Sequence, residues 1–256
     1  MLVLTSRAMT TPIPLAARSD LAPTGKLRAG INYGNFLLVK KDPAGGEPRG
    51  IAPDLARELG RRAGVPVEFV PYDQAGKLAE GVRAGAWDIA FLGNEPQRAN
   101  EIAFTAAYLV IEATYLVPAG SPIRSMADVD RAGVRIAVAD KSAYDLFLSR
   151  DLKHAQLLRA EGIDGSYELF IGQKLEVLAG LKPRLVTDAE KLPGSRVLDG
   201  RFTAVQQSIG SPRGRDAGAK YLREFIEDVK ASGFVGRAIE THGARGVSVA
   251  PKAPAQ

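Results

Sequence analysis

Residues 84–108 read AGAWDIAFLGNEPQRANEIAFTAAY, and the order of signals within them decides the fold. Trp87–Leu92 (WDIAFL) is a short run apolar on both faces, as a buried strand requires. Gly93–Arg98 carries the Gly, Asn and Pro of a loop, and Pro96 and Gln97 are placed to open a helix behind it. Working outward to the N-terminal side, LRAGI at 27–31 is a strand ending in the turn-like run Asn32–Tyr33–Gly34–Asn35. DPAGGEPRG at 42–50 is a turn by composition. A helix opens near Pro53–Asp54, with Leu55, Leu59 and Arg62/Ala63 at helical spacing, and PVEFVP at 66–71 alternates as a strand. The helix expected over 74–85 places Ala75, Leu78, Ala79 and Val82 on one face.

On the C-terminal side, YLVIEATYLV at 108–117 is strand-rich, and the alternation then restarts. VRIAVA (134–139) is a strand, 143–153 a helix, AQLLRA (155–160) a strand, 166–175 a helix and VLAG (177–180) a strand. FTAVQQSIG (202–210) is extended and precedes an amphipathic helix whose Leu222, Phe225, Ile226 and Val229 share a face. Strand–helix alternation favours parallel sheets covered by helices, so the fold class is α/β. The two β-rich stretches, 108–117 and 202–210, interrupt the alternation and read as crossovers between two lobes. Ligands of open α/β sheets bind beyond the carboxyl ends of the strands, so two facing lobes would share one cleft.

The chain has 256 residues, 45% hydrophobic and 25% charged, enough to bury a core without staples. It has no cysteine, which removes disulfides, thiolate metal sites and cysteine nucleophiles together. The net charge of +5 is spread along the chain among acids, with no dense basic run, so nucleic acid is not an expected partner. The opening MLVLTSRAMTTPIPLAARSD is broken by Arg7 and prolines and shows no complete secretory signal, and no apolar run is long enough to span a membrane. Residues 1–24 and 243–256 read as flexible ends.

Four stretches taken in order (LRAGINYGNF, GEPRGIAPDLARELGRRAG, AGAWDIAFLGNEPQRANEIAFTAAY and GVRIAVADKSAYDLFL) resemble the family 3 bacterial extracellular solute-binding proteins. These are the type II periplasmic binding proteins that serve polar amino-acid ABC importers. The similarity covers about residues 26 to 240, and its most specific piece is the Arg98 module followed by EIAFTAAY, similar to the family's D-F-S-x-P-Y. The resemblance implies a two-lobed, type II periplasmic-binding-protein-like fold, each lobe a mixed, mostly parallel sheet flanked by helices. Lobe 1 would comprise 25–107 plus 205–242 and lobe 2 would comprise 113–200, with hinges at 108–112 and 201–204. It also implies a periplasmic monomer that captures a small organic acid or amino-acid-like ligand and docks on an ABC permease, without a cofactor or metal.

The resemblance places Arg98 where the family grips a ligand α-carboxylate, and a guanidinium fork suits that bidentate task. The loop Gly93–Asn94–Glu95–Pro96–Gln97–Arg98 is shorter than the family's and lacks its threonines, leaving Asn94 to supply a polar group. Glu95 either points to solvent or meets a cationic part of the ligand. Asn32 and Asn35 are turn residues or ligand contacts, Tyr33 is a stacking or core aromatic, and Gln74 is a contact on the next strand-end loop. In lobe 2, Ser142 is the natural N-cap and carboxylate partner, the amides of Ser142 and Ala143 face the cleft, and Lys141 adds a cation at its mouth. The family's ammonium-pairing aspartate falls on Leu181, which accepts nothing. With Asn32 uncharged as well, the ligand is expected to be an acid, or another polar compound, without a free α-ammonium.

Two rivals remain. The cyclohexadienyl dehydratases resemble these binders, and an enzyme would need an acid or base in the cleft, for which Glu95 and Lys141 are candidates. His154 and His242 are expected outside the cleft. A ligand sensor on the same scaffold is the other rival. The expectation carried forward is a binding protein rather than an enzyme.

Overall fold

The computed structural model describes residues 12–254. In chain order its helices are α1 (Leu15–Leu21), α2 (Ile51–Ala63), α3 (Ala75–Glu80), α4 (Ala143–Asp151), α5 (Gly162–Gly172), α6 (Lys182–Glu190), α7 (Asp216–Ala231) and α8 (Phe234–Thr241). Its strands are β1 (Leu27–Asn32), β2 (Val67–Tyr72), β3 (Ile89–Gly93), β4 (Ile102–Phe104), β5 (Leu109–Val117), β6 (Arg135–Ala139), β7 (Gln156–Ala160), β8 (Val177–Leu181), β9 (Arg196–Val197), β10 (Thr203–Pro212) and β11 (Val247–Val249).

The strands join in the order β2-β1-β3-β10-β5-β8-β6-β7, with β4 on β10 and β9 and β11 on β5. Two parallel triplets, β2-β1-β3 and β8-β6-β7, therefore flank an antiparallel ribbon made of the long strands β5 and β10. The inner strands β3 and β8 are buried throughout, as strands covered on both faces must be. Each triplet forms the sheet of one lobe, and the fold is the two-lobed type II arrangement.

Register explains why the lobes share a cleft. β3 runs antiparallel to β10 and ends with Gly93 opposite Gln207, while β8 runs antiparallel to β5 and ends with Leu181 opposite Ala113. Within the ribbon Gln207 pairs Leu109 and Thr203 pairs Ala113. The carboxyl ends of both triplets thus converge on the middle of the ribbon, over β10 residues 203–207.

α2 and α7 follow the apolar spacing read in the sequence, whereas α3 stops at Glu80 instead of running to 85 because residues 81–85 turn, and α6 and α8 were not anticipated. α2 buries Ala52, Leu55, Ala56, Leu59 and Ala63, and stops at Gly64, whose φ of 64° is the left-handed conformation glycine tolerates best. α7 buries Leu222, Phe225, Ile226 and Val229. At the outer end of lobe 1 the fully buried Asp88 accepts from Arg28 Nε (3.0 Å) and Nη2 (2.8 Å) and from Arg215 Nη1 (2.8 Å), tying β1, β3 and the start of α7. Burial pushes its carboxyl up, but the hydrogen bonds from the two arginines outweigh this and hold it below the usual range.

Within the ends read as flexible, 1–24 and 243–256, two short stretches form regular elements. Residues 1–11 and 255–256 lie outside the described residues. Residues 15–21 form α1, which buries Ala17 and Leu21 against α7. The approach is close, since a Cβ on Gly218 would stand 2.8 Å from Cβ of Asp20, and Asp20 Oδ2 accepts the Gly218 amide at 2.9 Å. Residues 247–249 form β11, paired with β5 at Val247–Ile111 and Val249–Leu109. In each case a short apolar segment found an edge or a face to cover, which outweighed its loop-like composition. No helix among the described residues is long and apolar enough to cross a membrane.

Candidate functional site

A cleft of about 690 Å³, counting its open mouth, lies where the strand ends converge. Its walls come from the turns after β1 (Asn32, Gly34, Asn35), β2 (Asp73, Gln74), β6 (Asp140, Ser142, Ala143, Tyr144) and β7 (Gly162, Ile163), from Leu181 at the end of β8, and from Val205 and Gln207 on the ribbon. Val205 and Gln207 are two apart on β10 and both buried, whereas Gln206 between them is exposed, as strand alternation dictates. Leu38, Val39, Phe91, Leu92 and Ala139 complete a largely apolar interior.

The two lobes touch across this cleft. An ideal Cβ on Gly93 would stand 2.8 Å from Cβ of Ala143, so only a residue without a side chain allows β3 and α4 to meet this closely. Arg98 leads the single turn of helix Arg98–Asn100, a shorter element than the helix expected behind the loop, because β4 begins at Ile102. Its Nη1 donates to the Gly93 carbonyl at 2.7 Å within lobe 1, and its Nη2 to the Lys141 carbonyl at 2.8 Å in lobe 2. The side chain is buried, with 7% of the residue exposed, and burial pushes its pKa down to about 10 despite the attraction of nearby Glu95. Two of the five N–H donors of a guanidinium are thereby used, and both partners are neutral carbonyls.

On the lobe 2 wall, Ser142 is the N-cap of α4, and its Oγ accepts the Asp145 amide at 3.1 Å. Lys141, at φ 53°, holds the left-handed turn that precedes the helix, and its amide donates to Asp145 Oδ2 at 2.8 Å. The buried Asp145 also accepts from Arg159 Nε at 3.1 Å. The Ala143 and Tyr144 amides, in the first turn of α4, have no acceptor among the described residues, as first-turn amides commonly do not.

Of the residues singled out in the sequence, Asn32, Asn35, Gln74, Gly93, Arg98, Ser142, Ala143 and Leu181 line the cleft. Asn32 Oδ1 is committed to its own turn, accepting the Gly34 amide at 2.9 Å. Three others stand elsewhere. Tyr33 lies in the groove outside the mouth, with Lys41 Nζ 4.9 Å from its ring centroid. Asn94 is exposed and its amide donates to the Gln206 carbonyl at 2.8 Å, so the shortened loop turns its side chain away from the cleft. Lys141 extends outside it to Glu80, Nζ to Oε1 2.6 Å. Glu95 takes neither of the two courses open to it in the sequence. Its Oε2 accepts from Arg150 Nη2 of the opposite lobe at 2.7 Å. His242 pairs with Asp54 at 2.6 Å and His154 is exposed, and neither lines the cleft.

Sequence reasoning missed Tyr144, Gln207, Phe91, Ile163 and Val205. Gln207 sits in FTAVQQSIG beside Gln206 and Ser208, so composition did not single it out, and Tyr144 had entered only as part of the stretch GVRIAVADKSAYDLFL that resembles the family. No group of three or more His, Cys, Asp or Glu side chains among the described residues is arranged to hold a metal.

Two α/β lobes, joined by a two-stranded ribbon and meeting at their strand ends, make up the architecture of a hinged ligand-binding protein. The family model for bacterial extracellular solute-binding proteins, family 3, matches residues 27–244, and the chain belongs to that family. Solved structures with the same fold include the solute receptor for L-cysteine of Neisseria gonorrhoeae, at 21% identity and a TM-score of 0.74, covering 89% of this chain and 92% of that one. A mutant of ArgBP from T. maritima aligns at 20% identity and a TM-score of 0.73, covering 90% and 100%. The ancestral amino acid-binding protein AncCDT-1, described as a precursor of cyclohexadienyl dehydratase, aligns at 21% and 0.72, covering 88% and 98%.

Proposed function

We propose that this chain is the solute-binding component of an ABC importer, a periplasmic monomer that closes its two lobes around a small carboxylate-bearing molecule. The observation that carries the reading is Arg98. A buried guanidinium whose hydrogen-bond partners are only carbonyls is a poorly compensated charge, and such groups ordinarily sit opposite an anion. Three of its donors remain for a ligand, beside the Ser142 hydroxyl and the uncommitted amides of Ala143 and Tyr144 at the start of α4. In this reading residues 25–107 plus 205–242 move against 113–200 about hinges at 108–112 and 201–204, where β5 and β10 pair. Ligand contacts with both walls supply the free energy that favours the closed form. The structural neighbours described as amino-acid-binding proteins support a small, carboxylate-bearing ligand.

An enzymatic reading, prompted by the dehydratase precursor among the neighbours, is less well supported. Its two acid–base candidates, Glu95 and Lys141, are each held in an ion pair with the opposite lobe rather than aimed at the cleft interior.

Isothermal titration of the intact chain with small carboxylic acids and their primary amides tests the proposal. The acids should bind and the amides should not. Equal binding of both, or tighter binding of the amides, would remove Arg98 as an anion anchor and the carboxylate reading with it.

A further inference from the structure

Each lobe brings one neutral polar side chain to the cleft, almost fully buried and without a hydrogen-bond partner. In lobe 1 this is Asn35, 8% exposed, whose Oδ1 is unpaired among the described residues. In lobe 2 it is Tyr144, 3% exposed, whose hydroxyl makes no well-formed hydrogen bond among the described residues, the Ser142 hydroxyl being its near neighbour. Buried polar groups in native proteins are overwhelmingly satisfied, so two unpaired ones on facing walls of one cleft point to a shared partner that enters it. The hydroxyls of Tyr108, Ser208 and Ser211 are also buried and unpaired, but none of them lines the cleft.

The surroundings define the chemistry of that partner. Leu181, Leu38, Val39, Phe91 and Ile163 form the apolar wall. The acids that line the cleft, Asp73 and Asp140, stand at its solvated edge, 3.8 Å from Lys41 and 3.9 Å from Arg159 respectively. An ammonium held between Asn35 and Tyr144 would give up water without gaining a buried carboxylate. It also only donates, and would leave the tyrosine proton without an acceptor. A hydroxyl both donates and accepts, so it can serve the Asn35 carbonyl and the tyrosine hydroxyl together.

We propose that Asn35 and Tyr144 form a neutral recognition pair that selects a hydroxy-carboxylic acid with an aliphatic body, in place of an amino acid. The proposal rests on the carboxylate reading above and adds the identity of the second functional group. It makes Tyr144 a specificity-determining residue and gives Leu181 a role as the wall against which the aliphatic body packs.

The test is calorimetry of the intact chain against matched series on butanoate, pentanoate and 4-methylpentanoate bodies, each with a 2-hydroxyl, a 2-ammonium or neither. The hydroxy acid of the best-fitting body should bind on the order of tenfold or more tighter than both of its relatives, the usual size of one buried hydrogen bond. Tyr144→Phe should erase the gap between the hydroxy acid and the unsubstituted acid, with the larger loss of affinity falling on the hydroxy acid. Tightest binding by the amino acids, or a Tyr144→Phe effect equal across all three classes, would overturn the proposal while leaving the carboxylate reading intact. If no acid in any series binds, the carboxylate reading fails and takes this inference with it.

Discussion

Among the described residues, three ion pairs join the lobes around the cleft mouth, whereas the cleft interior holds one buried guanidinium among apolar and neutral polar groups. At the mouth, Lys141 meets Glu80 at 2.6 Å, Lys77 meets Glu161 at 3.8 Å, and Arg150 meets Glu95 at 2.7 Å. The first two pairs are solvated at both ends, and the third is solvated only on the arginine side. Inside, Arg98 is buried with carbonyl partners, and Asn35 and Tyr144 carry unpaired polar atoms. Charge at the mouth is balanced within the protein and adds little net stability, because exposed pairs are screened and entropically costly. Charge in the interior is offset within the protein only by the attraction of nearby Glu95, and that shortfall is what a ligand can correct. The mouth therefore tunes how readily the lobes meet, and the interior decides what they meet around.

The largest expected effect breaks the interior. Arg98→Ala should cost carboxylate affinity about a hundredfold or more, the usual scale for truncating a buried charge partner, and Arg98→Lys should recover only a part because it loses the planar fork. Titration calorimetry measures both. An Arg98→Ala variant with native affinity would show that the interior charge is balanced without a ligand.

Next comes geometry. Gly93→Ala places a Cβ about where Ala143 already stands across the cleft, so it should hold the lobes apart and weaken binding about tenfold. Its melting temperature without ligand should stay near that of the wild type. Small-angle scattering would show a larger radius of gyration with saturating ligand than wild type shows.

The half-buried pair at the mouth should matter less. A double-mutant cycle on Glu95→Gln and Arg150→Met should give a coupling of about 1 kcal/mol in binding, shrinking as salt is raised. A coupling of several kcal/mol would place this pair with the interior rather than the mouth.

The smallest effect belongs to Glu80 and Lys141, where Glu80→Gln should change affinity by a few tenths of a kcal/mol. The hydrogen bond from Lys141 holds the Glu80 carboxyl below its ordinary 4.5. A carboxyl lowered in the folded protein contributes fully above that ordinary value, and its contribution fades as pH falls through the lowered one. The difference between Glu80→Gln and wild type should therefore be present at pH 7 and vanish in acid. A difference that does not fade as the Glu80 carboxyl is protonated would show that the ion pair is not its source.

The α/β alternation, the strands of the two triplets and of the ribbon, and the apolar faces of α2 and α7 could be read in advance because each rests on local periodicity. The repeat in α7 of Leu222, Phe225, Ile226 and Val229 is one instance. The elements α1 and β11 near the chain ends were not anticipated for the same reason. Leu15–Leu21 and Val247–Val249 have little local signal, and only α7 and β5, distant in sequence, give them something to cover. Glu95 marks a similar limit, since its partner Arg150 lies 55 residues away on the other lobe.

The sequence by itself determined the strands of the two triplets and the two long β-rich stretches, which follow from residue type and nearest-neighbour spacing, while a family resemblance pointed to Arg98. Only the tertiary structure decided that Arg98 reaches across to the Lys141 carbonyl, that Asn94 faces away, and that Asn35 and Tyr144 share a cleft without partners of their own. The reason is physical. A side chain's charge and hydrogen-bonding capacity are fixed by its chemistry, but whether they are spent inside the protein or left for a ligand depends on which distant backbone the register of β5 and β10 brings against it.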